Sequence, residues 1–190
     1  MQVSLYGELA VAHIALSAAA TGATLDPPLP PQLAVPLSGW TQSGLGTVSQ
    51  NEYDPVLDAP TLFASPANVA NPRLQLALLK RGDLLAPFRV LSMLVRDDEQ
   101  FALEVRVATT AGPVRLRYEG TGSAPLVTRR GVILPVPATA IDGNPYALVS
   151  LDLAAAIEQA FPGTSLTRVL GIRLRGKFRV GAVVLSEPIT

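Results

Sequence analysis

Side chains that could act as a catalytic base or bind a transition metal are scarce in this chain of 190 residues. The single histidine, His13, lies among alanines in the least polar part of the sequence, and there is no cysteine. Nucleophilic catalysis needs a base beside the nucleophile, and zinc or iron centres need several nitrogen or sulfur ligands. No G-x-S-x-G motif is present. The sequence therefore predicts neither an enzyme nor a zinc or iron centre, and His13 is expected to be a structural residue.

Pairs of carboxylates are the remaining means of acid–base catalysis, as in glycoside hydrolysis. Asp97, Asp98 and Glu99 are consecutive, but they fall where a turn between two strands is predicted, and acidic residues at such a turn usually stabilise it. Their oxygens could instead bind calcium, which is the one cofactor that the sequence suggests. Glu104 and Glu119 have arginine neighbours, and this favours ion pairing over proton transfer.

Arginine is the most distinctive chemical feature of the chain, because 13 of the 15 basic residues are arginine. Its planar guanidinium suits bidentate contacts with carboxylates. Nucleic-acid binding is not expected, since the net charge is zero and no aromatic residues alternate with the arginines. An anionic glycan, a second subunit, or a solvated sheet face balanced by nearby acids would each account for these residues. The basic residues in question are Arg106, Arg115, Arg117, Arg173, Arg175, Lys177 and Arg179.

Sugar-binding surfaces usually present a flat aromatic ring, and the chain has five Phe, four Tyr and one Trp. Trp40, Tyr53 and Tyr146 are the aromatic candidates, whereas Tyr118 follows Leu116 at strand spacing and is expected in the core. The predicted ligand-binding residues are therefore Trp40, Tyr53, Tyr146, Arg115, Arg117, Arg173 and Arg175.

The segment 145–187 has the clearest local signals, and it must position several of these residues. Residues 146–151 have the composition of a strand, Asp152 can cap a helix that runs to about Phe161, and Pro162-Gly163 would end that helix. A pair of strands is then predicted, with its turn at Gly176-Lys177. In the first strand, apolar residues alternate with glycine and arginine, and the return strand is expected to bury Phe178, Val180, Ala182 and Val184.

A hairpin is predicted upstream of this segment, where residues 101–108 and 114–118 both alternate between apolar and polar. With Thr110 and Ala111 as the central residues of the turn, Glu104 would face Arg117, and Arg106 would face Arg115. Further strands are predicted at 74–79, 88–95 and 126–136, with another turn at 142–144. Many strands joined by short turns, with one short helix, are typical of an all-β fold, an antiparallel β-sandwich or jelly roll.

The first 72 residues differ in character from the rest and are assigned to a separate region, with a β-sandwich domain at 73–190. Residues 1–22 suit either a strand or a helix. Residues 26–36 contain five prolines and are expected to form an extended arm without a regular hydrogen-bond ladder. Residues 37–72 read as a loop.

Charge is also divided between the two regions. Residues 1–72 have five acidic residues and no Lys or Arg, whereas 73–190 have all 15 basic residues and ten acidic ones. We expect Asp26, Glu52, Asp54 and Asp58 of the arm to contact arginines of the β-sandwich, in the same chain or in a neighbouring copy.

The succession VSLDLAAAIEQAFPG, SLTRVLGIRLRG and RVGAVVL (149–163, 165–176 and 179–185) resembles the C-terminal portion of carbohydrate-binding-module-like, galactose-binding-type jelly rolls of secreted and surface proteins. The resemblance covers roughly residues 88–185. Where such domains carry an acidic residue before the final apolar ones, this chain has Gly181-Ala182-Val183, so the resemblance does not extend to a ligand there.

The resemblance implies a non-catalytic carbohydrate-binding-like domain with an extracellular or surface-associated location. The alternative is a structural subunit of a filament, coat or other homo-oligomeric surface assembly, which the acidic arm and the basic sheet face would suit. The expected partners are a glycan or neighbouring copies of the chain, and no membrane span is expected because no apolar stretch is long enough.

Overall fold

Two long antiparallel strands form the centre of the sheet in the computed structural model, which describes residues 32–68, 74–78, 88–120, 125–128 and 131–187. Strand β6 (Val90–Thr109) and strand β12 (Leu166–Ser186) are paired from one end to the other. Both are about four times as long as a typical strand of 5–6 residues. Each can therefore pair with different neighbours along its length.

Strands make up 68% of the described residues, and these residues include one helix, α1 (Leu153–Ala160). The mainly β fold with one short helix that the sequence predicts is confirmed. The remaining strands are β1 (Gln32–Val35), β2 (Thr41–Ser43), β3 (Gly46–Asp54), β4 (Ala59–Pro66), β5 (Gln75–Leu78), β7 (Gly112–Glu119), β8 (Leu126–Thr128), β9 (Gly131–Leu134), β10 (Ala138–Ala140) and β11 (Ala147–Asp152).

The central pair organises the other strands into one large sheet. Strands β5, β4 and β1 pair with successive parts of β12, while β11 and β7 pair with the two halves of β6. Further out, β2 pairs with β5, β3 with β4, β10 with β11, and β9 with both β7 and β8. All pairs of described strands are antiparallel except β7 with β9.

The turns predicted at Asp97–Glu99 and at Gly176-Lys177 are wrong, because β6 and β12 run straight through them. The two sites lie opposite each other in the ladder, where Lys177 pairs with Glu99, and the register shifts on both sides of Lys177. Gln100 and Gly176 adopt positive φ angles of 54° and 105°. The turn-forming residues therefore make facing bulges rather than two hairpins.

A second bulge in β12 changes which residues the strand buries. The register shifts between Gly181 and Val183, and Ala182 has a φ of 45°. Beyond it Val183 and Leu185 are buried, so the predicted burial of Ala182 and Val184 is wrong. One extra residue in a strand moves the following side chains to the opposite face.

The hairpin between β6 and β7 is confirmed, including its register. Thr110 and Ala111 form the turn, Glu104 pairs with Arg117, and Arg106 pairs with Arg115. The strand at 146–151 corresponds to β11, and the predicted helix corresponds to α1. As expected, the Asp152 carboxylate accepts a hydrogen bond of 2.8 Å from the backbone N–H of Ala155 and so caps this helix.

The predictions for residues 32–72 need correction. Residues 32–35 belong to a regular ladder with β12, and residues 37–72 contain β2, β3 and β4 rather than a loop. Strand β3 lacks apolar periodicity because, within the described part of the chain, it pairs only with β4 and leaves most of its side chains in solvent. The predicted strand 126–136 is instead the hairpin of β8 and β9.

Residues 1–31 lie outside the described residues, and with them His13, Asp26 and the choice between strand and helix at 1–22. The β3–β4 hairpin joins the same sheet as β12, so part of the first 72 residues extends the sheet of the C-terminal region. The division of the chain at residue 72 stays a prediction.

The main core lies on the inner side of the central pair. Leu103, Val105 and Leu174 are fully buried there, and α1 adds Leu153 and Ile157. Near the facing bulges, the rings of Phe101 and Phe178 make an edge-to-face contact with centroids 5.5 Å apart. Because inward residues of β6, β7 and β12 are apolar, the residues between them in sequence are directed to the opposite side of the sheet.

The bulge at Gly176 generates a prediction for stability. A Cβ at this position would collide with the backbone carbonyl of Gln100, and the φ of 105° is itself unfavourable for a side chain. We expect Gly176→Ala to lower the free energy of unfolding by about 3 kcal/mol or more, measured by chemical denaturation.

The matched control is Gly112→Ala, which has a similar φ of 114° but open space around the new Cβ. Its loss should be about 1 kcal/mol, from backbone strain alone. Equal losses for the two variants would contradict the close approach of β6 and β12 at this bulge.

Candidate ligand-binding site

The outward sides of β12, β6 and β7 carry most of the predicted arginines. Across these strands Arg173 pairs with Glu104, which pairs with Arg117, so the three side chains form one row. Arg175, Ala102 and Glu119 form the next row. We call this surface the charged face; its charged residues are Arg106, Arg115, Arg117, Arg168, Arg173, Arg175, Glu104 and Glu119.

Ion pairs hold part of the charged face in place. A guanidinium nitrogen of Arg173 donates to the Glu104 carboxylate at 3.3 Å, and Arg175 donates to Glu119 at 3.2 Å. Arg117 lies 2.7 Å from the same carboxylate of Glu119. These side chains are partly exposed, so each pair contributes only about 0–1 kcal/mol to stability. Their main effect is to orient the polar groups.

A shallow depression of about 100 Å³ lies among these groups, over a floor that includes Ala102 and Leu103. Its volume is well below the roughly 300–1,000 Å³ of a pocket that encloses a whole small molecule. It can therefore hold one polar edge of a ligand rather than surround it. Its polar lining is formed by Gln75, Glu104, Arg117, Arg173 and Arg175.

The structure thus brings three of the four predicted arginines together at the depression. Arg115 lies on the same charged face one row away, exposed and opposite Arg106. Gln75 was missed by the sequence analysis, although the alternation in Leu74-Gln75-Leu76 directs it away from the core. The contribution of Glu104 to a site could not be recognised until the ladder placed it between two arginines.

The aromatic candidates are not part of the depression. Trp40 is 4% exposed, and its indole N–H donates to the backbone carbonyl of Pro36 at 3.0 Å. Tyr146 is 1% exposed, so neither ring presents a face to solvent. Tyr53 is 61% exposed, but it lies on β3, which reaches β12 only through β4. Tyr118 is buried, as predicted.

A second polar cluster joins the N-terminal strands to the centre of the sheet. Asp54, at the end of β3, is 3% exposed, and its carboxylate accepts hydrogen bonds from the backbone N–H groups of Val56 and Leu57. The Tyr146 hydroxyl donates to the other oxygen at 2.8 Å, and Nε of Arg179 lies 3.4 Å from that oxygen. Five chain segments distant in sequence are not needed for this cluster; three suffice.

Arg179 is the basic partner in this cluster. Its terminal nitrogens donate to the Glu52 carboxylate at 2.9 Å and to the Thr61 hydroxyl at 3.2 Å, and its guanidinium lies 4.9 Å from the centre of the Phe63 ring. The expectation that acids of the first 72 residues contact arginines of 73–190 is therefore confirmed for Glu52 and Asp54, within one chain. Asp58 instead accepts a hydrogen bond from Tyr53.

The cluster also sets the protonation of its members. Burial raises the pKa of Asp54, but the hydrogen bonds from Tyr146, Val56 and Leu57 and the charge of Arg179 outweigh burial, so the net pKa is below its ordinary value of 3.8. Burial and the neighbouring Asp54 raise the pKa of Tyr146. Asp54 is therefore the acceptor and Tyr146 the donor in their hydrogen bond.

The acidic triplet at 97–99 was considered for calcium. The Asp97 carboxylate accepts a hydrogen bond from the backbone N–H of Phe101, and Asp98 accepts one from Nε of Arg96. No group of three or more acidic, histidine or cysteine residues within the described ranges is arranged to hold a metal ion. Nor does the described part of the chain include a helix long and apolar enough to cross a membrane.

The first prediction from the polar cluster concerns Asp54. The substitution Asp54→Asn leaves the Arg179 guanidinium, whose side chain is only 12% exposed, without its buried carboxylate. We expect the free energy of unfolding to fall by about 3 kcal/mol in chemical denaturation. Asp58→Asn is the control, because it removes the same charge from an exposed residue whose positive φ of 52° asparagine tolerates. It should change stability by less than about 0.5 kcal/mol, and a similar loss in both variants would refute a special role for Asp54.

The second prediction concerns pH. Because the pKa of Asp54 is lowered on folding, its stabilising contribution is complete above the unfolded pKa and is lost as the pH falls through the folded pKa. The thermal midpoints of the wild type and of Asp54→Asn should therefore differ most at neutral pH and converge below about pH 4. A difference that stays constant from pH 7 to pH 3 would contradict this assignment.

No model of a known protein family matches the chain, and a search of curated proteins finds no match. Its function is therefore inferred from the chemistry of the charged face and the depression.

Proposed function

We propose that the chain is a non-catalytic carbohydrate-binding domain with an extracellular or surface-associated location, and that the depression on the charged face is its binding site. The observation that carries this proposal is the convergence of guanidinium and amide donors with a carboxylate acceptor at one shallow place. Sugar hydroxyls both donate and accept hydrogen bonds, so a site with both kinds of group can engage neighbouring hydroxyls.

The rigidity of the site supports this function. Arg173 and Glu104 are directly opposed on paired strands and are joined by a hydrogen bond, so their side chains are oriented before a ligand arrives. Ordering side chains on binding costs about 0.5–1.5 kcal/mol for each flexible side chain, and a site ordered in advance avoids part of that cost.

The arrangement favours binding over catalysis. Glu104 and Glu119 are each engaged by guanidinium groups rather than left facing the depression as free acids. Hydrolysis of a glycosidic bond needs one carboxylic acid to donate a proton and a second carboxylate to assist. Here the carboxylates serve as hydrogen-bond acceptors.

We assign the finer architecture as a jelly-roll β-sandwich. The facing bulges at Glu99 and Gly176 divide the central pair into two halves, and each half pairs with different neighbours. Strands that pass from one layer of a sandwich to the other turn the corner at such bulges. This division supports two layers linked by β6 and β12.

The second candidate function is a structural subunit of a homo-oligomeric surface assembly. Strand β3 presents a nine-residue edge, and close to it Leu45, Tyr53 and Val56 are 81%, 61% and 49% exposed. An exposed edge strand can pair with another chain through its free backbone groups. A neighbouring copy of the chain is the partner in this case.

A glycan array followed by titration calorimetry tests the first function. We expect the monomer to bind at least one glycan, and Gln75→Ala to weaken that binding about fivefold, since one hydrogen bond of about 1 kcal/mol is lost. Gln159→Ala, which makes the same change on the exposed surface of α1, should bind as the wild type does.

Size-exclusion chromatography on the same samples distinguishes the second function. A large homo-oligomer that binds no glycan would refute carbohydrate binding and support the structural subunit. A glycan-binding monomer whose affinity is unchanged by Gln75→Ala would place the sugar elsewhere on the chain.

A further inference from the structure

Positive charge exceeds negative charge on the charged face, and the excess lies at one end. Its six arginines and two glutamates leave a net charge of +4. Both glutamates are engaged by Arg117, Arg173 and Arg175 at the end that holds the depression. The other three arginines, Arg106, Arg115 and Arg168, form no ion pair with any residue in the described ranges.

Arg106 and Arg115 are unusual because they are directly paired across β6 and β7. Like charges in such a pair destabilise a sheet. On either side of them the neighbouring strands contribute only glycine, since Gly171 pairs with Arg106 and Gly131 pairs with Arg115. The two guanidinium groups therefore have no acidic or bulky side chain beside them in the row, and both are accessible to a ligand.

The glycine at 131 is required by the backbone. A Cβ there would collide with the carbonyl oxygen of Arg115 and would lie 3.2 Å from the Arg115 Cβ. Strand β9 thus lies close against β7, and a larger residue that might cover Arg115 is excluded. The same close approach keeps the row of two arginines open.

Arg168 extends this end of the face. It is exposed and pairs with Ala108, so it lies one row beyond Arg106 on the outward side. Successive rows are about 7 Å apart along a strand. From the row of Arg168 to the row of Arg175 the charged face is therefore about 20 Å long, which is enough for several residues of an extended chain.

We propose that the charged face binds an acidic polysaccharide, with sugar carboxylates on Arg106 and Arg115 and neighbouring hydroxyls in the depression. This proposal rests on the carbohydrate-binding function above and adds the class of sugar. Guanidinium groups bind carboxylates through charge-assisted and often bidentate hydrogen bonds. The unfavourable approach of Arg106 and Arg115 would then be relieved by the ligand.

The charge distribution favours this occupant over the other polyanions. Nucleic-acid sites add aromatic side chains on which bases stack, whereas the outward residues of these rows are arginine, glutamate, alanine, glycine and proline. Acids from the same chain are not the partner among the described residues, because Glu52 and Asp54 are engaged by Arg179.

The test uses the full chain with polygalacturonate and with the same polymer after methyl esterification, which removes its carboxylate charge. We expect binding to polygalacturonate that weakens as salt is raised and is at least about tenfold weaker after esterification. The double variant Arg106→Gln with Arg115→Gln should lose about tenfold in affinity. Arg89→Gln, the same change at an exposed residue beside the opposite end of β6, should bind as the wild type does.

Thermal unfolding of the double variant separates binding from folding. Removing a like-charge pair should leave its midpoint unchanged or higher, so weaker binding by an equally stable protein supports the proposal. A binding loss that appears only with a lower midpoint would be a structural effect and would overturn it.

Three further results would also overturn the proposal. Equal binding of both polymers would show that carboxylates are not recognised, while leaving the carbohydrate-binding function intact. Duplex DNA bound as tightly as polygalacturonate would indicate general affinity for polyanions. Absence of binding to either polymer and to the neutral glycans of the array would refute both the acidic ligand and the carbohydrate-binding function.

Discussion

The pairing of β6 with β12 is the interaction on which the rest of the sheet depends. Five strands bind directly to this pair, and the other described strands bind to those five. The two partners lie far apart in sequence, so a long loop must close before the ladder rewards it. Such non-local contacts are typical of slowly folding β proteins. The charged face inherits its geometry from the same ladder, because Arg173, Glu104 and Arg117 are neighbours only while β12, β6 and β7 stay in register.

The cluster around Asp54 and Arg179 has a complementary role. It links the β3–β4 hairpin to the middle of β12 through polar groups in an otherwise apolar interior. Buried ion pairs are costly to form, and their members must be satisfied by further hydrogen bonds. Here Tyr146, Thr61 and two backbone N–H groups supply those bonds. The division of charge along the sequence is thus used, in part, to attach one segment of the chain to another.

Local signals predicted the hairpin of β6 and β7 and the capped helix, since alternation, turn residues and a capping aspartate all act over a few residues. The facing bulges were not predictable in the same way, because Asp, Gly and Gln with positive φ suit a bulge as well as a turn, and only the partner strand decides between them. Strand β3 was read as a loop because an edge strand exposed on both faces has no apolar period.

The candidate site was predictable only in part for the same reason. The alternation of arginine with apolar residues placed Arg173 and Arg175 on one face, and the hairpin register added Arg117. The depression itself depends on β5, whose Gln75 joins the arginines through pairing with β12. Trp40 and Tyr146 could not be excluded as ligand-binding residues from sequence, because their burial depends on partners such as Pro36 and Asp54, the latter 92 residues from Tyr146.

The antiparallel pairing of β1 with the last part of β12 has a mechanical consequence. Gln32, at the start of β1, pairs with Ser186, at the end of β12, so the chain enters and leaves this pair at the same end. Tension applied through the preceding and following residues would load the backbone hydrogen bonds one after another, as in unzipping, rather than all at once, as in shear. Pulling would therefore detach β1 at low force while the central pair stayed closed, and the segment before β1 could lengthen under load without loss of the charged face.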